Sequence, residues 1–178
     1  MLKLVQNDIA CYAMHTNYDV LRMGDLASSL FQKGPYQLLD EEVLDVTYEE
    51  TNGIGCIGNL ENPIAIEACC QWLKECFGLP SLKVFGDSQR LIQRVAISPG
   101  SGKSMVEIAI QKGADLLITG DIGHHDGIDA LGDKLTIIDA SHYGMEHIFV
   151  DDMATFFEEK FPEIECIKAV YQFPFQVI

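Results

Sequence analysis

"RVAISPGSGKSMVEIAIQKGADLLITGDIGHHDGIDALGDKLTIIDASHYGMEH", residues 94–147, decides the fold. Its apolar runs "RVAIS", "ADLLITG" and "LTIIDA" are short, rich in β-branched residues and separated by polar, glycine-bearing stretches. Near-continuous apolar runs of that length are the mark of strands buried on both faces. Between the first two lies "MVEIAIQKG", which has helical apolar spacing and a closing glycine. After the third, a helix is expected from about His142 to Lys160, with "IECIKAV" as the last apolar segment.

Working outward, "LKVFG" reads as a further strand. "IAIEACCQWLKECFG" reads as an amphipathic helix, with Asn62-Pro63 as cap and first turn and Gly78 as its close. "YQLLDEEVLDVTYEE" contains an extended segment around Leu44–Tyr48. "NYDVLRMGDLASSLFQK" carries Val20, Leu21, Leu26 and Leu30 at helical spacing and stops at Gly34-Pro35. "DIACYAMHT" reads as a buried strand with a polar C-terminal end. The alternation predicts an α/β fold: a mostly parallel sheet with helices on both faces, in one domain spanning residues 1–178. In such sheets, functional side chains gather where strands end and loops begin.

Composition narrows the function classes. Twelve basic residues against 27 acidic ones give a formal charge of −15, a field that repels phosphate backbones, so no nucleic-acid partner is expected. No apolar run reaches the roughly twenty residues a membrane helix needs, and "MLKLVQNDIACYAM" does not read as a secretory signal. The six cysteines form no CxxC pair, and Cys69-Cys70 are adjacent, which strains a disulfide. Reduced thiols packed as small apolar groups, in a cytoplasmic protein, are the expectation.

Two glycine-rich stretches imitate nucleotide motifs. "GIGCIG" sets Gly53, Gly55 and Gly58 at dinucleotide-site spacing, but "NLENP" separates it from the next helix, so a glycine-permitted loop is the better reading. "SPGSGKS" has the ending of a P-loop, yet Ile97 stands where that motif requires its first glycine. A milder anion contact through Ser101 and Lys103 remains open.

The histidines carry the chemistry. His15 and Asp19, then Asp121, His124, His125 and Asp126, then His142, Glu146 and His147 form three clusters, each beside an expected strand end. His142 and Glu146 are four residues apart and so share a helix face. Imidazole with carboxylate, and no thiolate, suits a divalent ion such as Zn, Mn or Fe.

"AMHTNYDV", "GIGCIGNL", "VAISPGSGKSMVEIAIQKGADLLITGDIGHHDGIDA" and "IIDASHYGMEH" resemble, in order, the Nif-three-like dinuclear metal-binding family, whose bacterial members are often labelled GTP cyclohydrolase I type 2 homologues. The resemblance implies a Nif-three-like fold and two metal ions per subunit. Asp19 of "HTNYD" and His142 and Glu146 of "SHYGME" would be ligands, and Asp19 is able to bridge two cations. It also implies a homo-oligomer, a hexameric ring of dimers. Two departures stand out: Ser141 replaces the family's usual glycine, and the family's earlier His-His segment has no counterpart here. The expectation is therefore an N-terminally truncated relative without the inserted domain, holding one ion or none.

His125 and His15 are the expected proton-moving or substrate-facing groups. The leading function is a metal-dependent hydrolase, its activity impaired if the His-His ligands are missing. The alternative is a non-catalytic oligomeric metal-binding or adaptor protein, and a nucleotide-binding redox enzyme ranks third.

Overall fold

The structure, a computed structural model, describes residues 2–49, 52–173 and 175. Chain order is α1 (Leu2–Gln6), α2 (Thr16–Tyr18), a π-helical turn (Asp19–Met23), α3 (Gly24–Gln32), β1 (Leu38–Glu49) and β2 (Asn52–Ala65). Then follow α4 (Ile66–Phe77), β3 (Lys83–Phe85), β4 (Leu91–Ser101), α5 (Met105–Gln111) and β5 (Leu116–Gly120). The last elements are α6 (His124–Gly132), β6 (Thr136–Asp139), α7 (His142–Glu146) and α8 (Phe149–Lys160).

The described strands form one sheet in the order β1-β2-β4-β5-β6-β3. Its centre is parallel, β4 to β5 to β6, as expected from residues 94–147. The rest is antiparallel: β1 with β2, β2 with β4, and β3 with β6. The sheet is therefore mixed, not mostly parallel. For β1 and β2 the cause is local, because β1 ends at Glu49 and β2 starts at Asn52. A connection that short closes a hairpin and cannot make the crossover a parallel pair needs.

Helices cover both faces. Val95, Ile97, Leu116, Ile118 and Ile138 point to one side, where α3, α4 and α7 add Phe31, Leu73, Phe77 and Met145. The alternate residues Ala96, Leu117 and Ile137 point to the other side and meet Met105 and Ala109 of α5 and Ala130 of α6. Each large side chain fully buried this way, such as Phe31 or Leu73, contributes about 1.5–3 kcal/mol of apolar transfer.

Several local readings are corrected. "GIGCIG" is not a loop: it lies inside β2, where its glycines permit close backbone approach. A Cβ on Gly53 would strike the carbonyl of Asp45 on β1, and one on Gly55 (φ +69°) would strike Ile97 on β4. Asn62-Pro63 does not begin α4; both residues lie in β2, and Ala65 holds the cap position. Pro63 falls where the β2–β4 register slips between Asn59 and Ile64, a place that needs no ladder donor. Gly78 does close α4, in the left-handed conformation.

"DIACYAMHT" is not a buried strand. Ile9 and Tyr12 are exposed, and no strand is assigned over residues 9–15. Apolar content without a neighbouring strand supplies no ladder of hydrogen bonds. "HHDGIDALG" forms α6, which the glycines in it had concealed. The expected helix from His142 to Lys160 tightens at His147-Ile148 and divides into α7 and α8. "IECIKAV" is irregular and exposed. Cys56 and Cys69 are buried among apolar side chains, as expected for packed thiols.

Candidate functional site

The C-terminal ends of β4, β5 and β6 lie side by side, and the loops leaving them build one cleft. Asp139, the last residue of β6, ties two of these loops together. Its Oδ2 accepts from the Ile122 N–H at 3.1 Å and its Oδ1 from the Ser141 N–H at 3.1 Å. The chain then turns sharply at Ser141 (φ 61°, ψ 146°), whose Oγ accepts from the Gly144 N–H and starts α7. Gly120 at the end of β5 leaves room for this turn, since a Cβ there would strike the backbone of Ser141 and His142.

His142 opens α7 between two carboxylates. Its Nδ1 lies 2.8 Å from Asp121 Oδ2, and its Nε2 lies 3.1 Å from Glu146 Oε1, one helical turn on. Partial burial pulls the imidazole pKa down. The Asp121 hydrogen bond and the charges of Glu146 and Asp121 together outweigh it, so the net direction is upward. For Glu146, burial raises the pKa, His142 opposes that rise and Asp19 adds to it. The carboxyl of Asp19 is likewise raised by burial, against the charges of His15 and His142. These mutual influences put Asp19, His142 and Glu146 within electrostatic reach of one another.

Asp19 arrives from the other end of the chain. Thr16–Gln32 runs as one continuous helical path, because Tyr18, Asp19, Met23 and Gly24 all keep right-handed helical dihedrals. Asp19 begins its π-helical turn, a distortion that often accompanies functional sites. The path is fixed against α8 by Asp152. Tyr18 Oη donates to Asp152 Oδ2 at 2.6 Å, and Arg22 donates to both oxygens, at 3.2 and 2.7 Å. Tyr18 also meets Phe149 edge-on at 6.2 Å. Asp19 thereby lines a small pocket of about 70 Å³ with His15, Tyr18, Glu146 and Phe149.

The residues singled out in the sequence divide cleanly. Asp19, Glu146 and His15 meet at this pocket, His15 being exposed with Nδ1 3.7 Å from Asp19 Oδ2. His142 joins them through Glu146. His125 lies outside the pocket lining: it is exposed in the first turn of α6, edge-on to His124. Lys103 pairs with Asp126 at 3.0 Å and borders a different depression beside α5 and α6. Ser101 ends β4, in register with Gly120.

Sequence reasoning assigned no role to Asp121, Gly100 or Asp152. Asp121 was visible only as a neighbour of His124-His125, although its partner is His142. Gly100, in "SPGSGKS", has φ +85° and faces the site: a Cβ there would strike Glu146 Oε1 and come within 3.9 Å of His142 Nε2. That stretch thus supplies backbone clearance to the His142–Glu146 pair.

Among the described residues, no three His, Cys, Asp or Glu side chains are drawn together as a coordination set. The donor chemistry nonetheless fits a divalent ion. Asp19 and Glu146 line one pocket, Asp121 holds Nδ1 of His142 so that Nε2 faces Glu146, and Gly100 leaves a cradle that a side chain would fill. Among the described residues, no helix is long and apolar enough to cross a membrane.

Comparison with known proteins agrees with this architecture. A relative from Streptococcus pneumoniae, named GTP cyclohydrolase 1 type 2 homolog, is 40% identical over 161 residues, covering 86% of this chain and 57% of its own length. One of the same name from Clostridium acetobutylicum is 31% identical over 148 residues, covering 82% of this chain and 54% of its own. The chain thus spans about half the length of these two curated relatives. The crystal structure of a Bacillus cereus protein related to NIF3 superposes with a TM-score of 0.90 at 19% identity, over 99% of this chain and 76% of that one, a likeness of fold. The model of the Duf34/NIF3 (NGG1p interacting factor 3) family matches residues 1–173, and the chain belongs to that family.

Proposed function

We propose that the cleft at Asp19, His142 and Glu146 is a divalent-metal site, for Zn, Mn or Fe, serving a metal-dependent hydrolase. One observation carries the reading. Asp19, from the start of the chain, lines one small pocket with Glu146, whose carboxylate lies 3.1 Å from the Nε2 of His142 beyond the C-terminal edge of the parallel strands, and Asp121 already orients that imidazole. Asp19, His142 and Glu146 would hold the ion, which would supply Lewis acidity for polarising a substrate oxygen and lowering the pKa of water.

The chain's own groups do the rest. Asp121 fixes the imidazole ring, Glu146 and Asp19 supply negative charge, and His15, exposed beside Asp19, is the group placed to carry a proton between cleft and solvent. The relatives' printed name supports hydrolysis as the reaction class; GTP rests on that name alone. The reading includes a cytoplasmic homo-oligomer.

The test is metal content of the purified protein together with thermal unfolding in added Zn²⁺ or Mn²⁺. The wild type should retain metal and unfold at higher temperature when it is added, and His142→Ala and Glu146→Ala should lose both responses. Metal binding without any metal-dependent hydrolysis would favour the non-catalytic metal-binding or adaptor reading. No metal response at all would remove the site.

A further inference from the structure

A larger cavity, about 630 Å³, shares His142 and Asp121 with the candidate metal site. Its size falls within the roughly 300–1,000 Å³ of small-molecule sites. Its apolar wall is Leu82, Tyr143, Phe173 and Phe175. The rings meet at steep angles, Tyr143 to Phe173 at 72° and Phe173 to Phe175 at 64°, so a flat guest can lie against one face while meeting another edge. The segment carrying Phe173 is held in place by Tyr171, which stacks on Tyr143 at 5.5 Å and on His147 at 4.0 Å.

The charged groups in this cavity are paired with one another, and what they leave over is a hydrogen-bond acceptor. Lys83 and His142 are the basic groups in the wall, and both are already engaged: Lys83 Nζ lies 2.8 Å from Asp139 Oδ2 and donates to the Ile122 carbonyl at 2.8 Å, and His142 sits between Asp121 and Glu146. Asp121 is left with one oxygen on His142 and the rest of an exposed carboxylate facing the cavity. A carboxylate only accepts hydrogen bonds. With no metal ion in the neighbouring site, a guest bearing phosphate or carboxylate would meet the remaining edge of Asp121 with no unengaged cation among these groups in return.

We propose that this cavity binds a planar nitrogen heterocycle, neutral or cationic, with its ring among Tyr143, Phe173, Phe175 and Leu82 and its N–H groups donating to Asp121. As the organic half of the same cleft, this names a substrate class for the proposed hydrolase. It rests on that reading for its chemistry, whereas the binding itself does not need the metal.

The experiment is calorimetric titration of the protein, chelator-treated and zinc-loaded, with 2-aminobenzimidazole and with benzimidazole-2-carboxylate. The amine should bind in both preparations and, in the chelator-treated one, at least tenfold more tightly than the carboxylate. Asp121→Asn and Phe175→Ala, the second at a half-exposed position whose loss leaves the core untouched, should each weaken it at least fivefold. Absence of amine binding, equal affinity for the carboxylate in the chelator-treated protein, or unchanged affinity in either variant overturns the proposal. Zinc binding without heterocycle binding defeats this cavity alone; heterocycle binding without zinc binding defeats the metal reading alone.

Discussion

Asp121 Oδ2 lies 2.8 Å from His142 Nδ1, across 21 positions of sequence, and this contact determines which ring nitrogen faces Glu146. Asp121 sits at φ 57° immediately after β5, so its aim is set by the backbone turn as well as by its rotamer. Removing such an orienting carboxylate typically costs about 10–100-fold in metal affinity. Asp121→Asn should weaken Zn²⁺ binding by about that factor, read by competition with a chromophoric chelator. Its thermal stability without metal should stay near that of the wild type, because the side chain is exposed. Unchanged zinc affinity would show that the contact does not tune the ring.

Ser141 pairs a strained backbone with a useful side chain. At φ 61° and ψ 146° it occupies a region essentially reserved for glycine, which costs about 1–3 kcal/mol in any other residue. Its hydroxyl caps α7, and replacing a serine cap by glycine loses only a few tenths of a kcal/mol. Ser141→Gly should therefore stabilise the protein by about 1 kcal/mol or more, whereas Ser141→Ala keeps the strain and loses the cap. Urea denaturation midpoints in the order Gly, Ser, Ala check this; Gly below Ser would contradict it.

Gly100 and Gly78 have similar positive φ but different surroundings. Nothing lies near a Cβ at Gly78, while one at Gly100 would run into the Glu146 carboxylate. Alanine at either position should cost about 1–2 kcal/mol in backbone strain. Only Gly100→Ala should also abolish the Zn²⁺-induced rise in unfolding temperature. Loss of that response in Gly78→Ala as well would mean that global destabilisation, not the cradle, is responsible.

The Tyr18–Asp152–Arg22 contact should give a pH-dependent stability. The Arg22 hydrogen bond is the main influence on the Asp152 carboxyl; with the bond from Tyr18 it outweighs partial burial and holds the pKa below the ordinary carboxylate range. A depressed folded-state pKa stabilises fully above the unfolded value, near pH 3.9. The contribution disappears as pH falls through the lower folded value. At pH 7, Asp152→Ala should cost about 1–3 kcal/mol by leaving Tyr18 Oη without its acceptor. Arg22→Ala, at a half-exposed position, should cost up to about 1 kcal/mol. Chemical denaturation from pH 7 to pH 2 should show the gap between wild type and Arg22→Ala narrowing below about pH 4; a constant gap would assign the effect to packing.

The parallel centre of the sheet was legible because "RVAIS", "ADLLITG" and "LTIIDA" are buried on both faces and need no partner information to be read. The His142–Glu146 pair was legible through helical spacing, and the nearness of Asp19 to Glu146 through family resemblance. The β1–β2 hairpin was not. Gly53, Gly55 and Gly58 lower local strand preference, and the reason they are tolerated, contact with β1 and β4, is tertiary. Asp121 misled for a related reason: proximity in sequence pointed to His124 and His125, whereas the β5–β6 pairing brings it to His142.

The wide turn at Asp19–Met23 has a consequence for how this site tolerates change. A π turn holds one more residue than the α turn it replaces, yet both close a single revolution, so excising one residue from its middle, such as the exposed Leu21, would restore regular winding and leave the flanking helix in nearly the same phase. Taking a residue out of the regular α3 would instead turn everything before it, Asp19 included, by about 100°. Single-codon deletions should therefore be milder within Asp19–Met23 than one turn later, because the wide turn carries slack that the α turns lack.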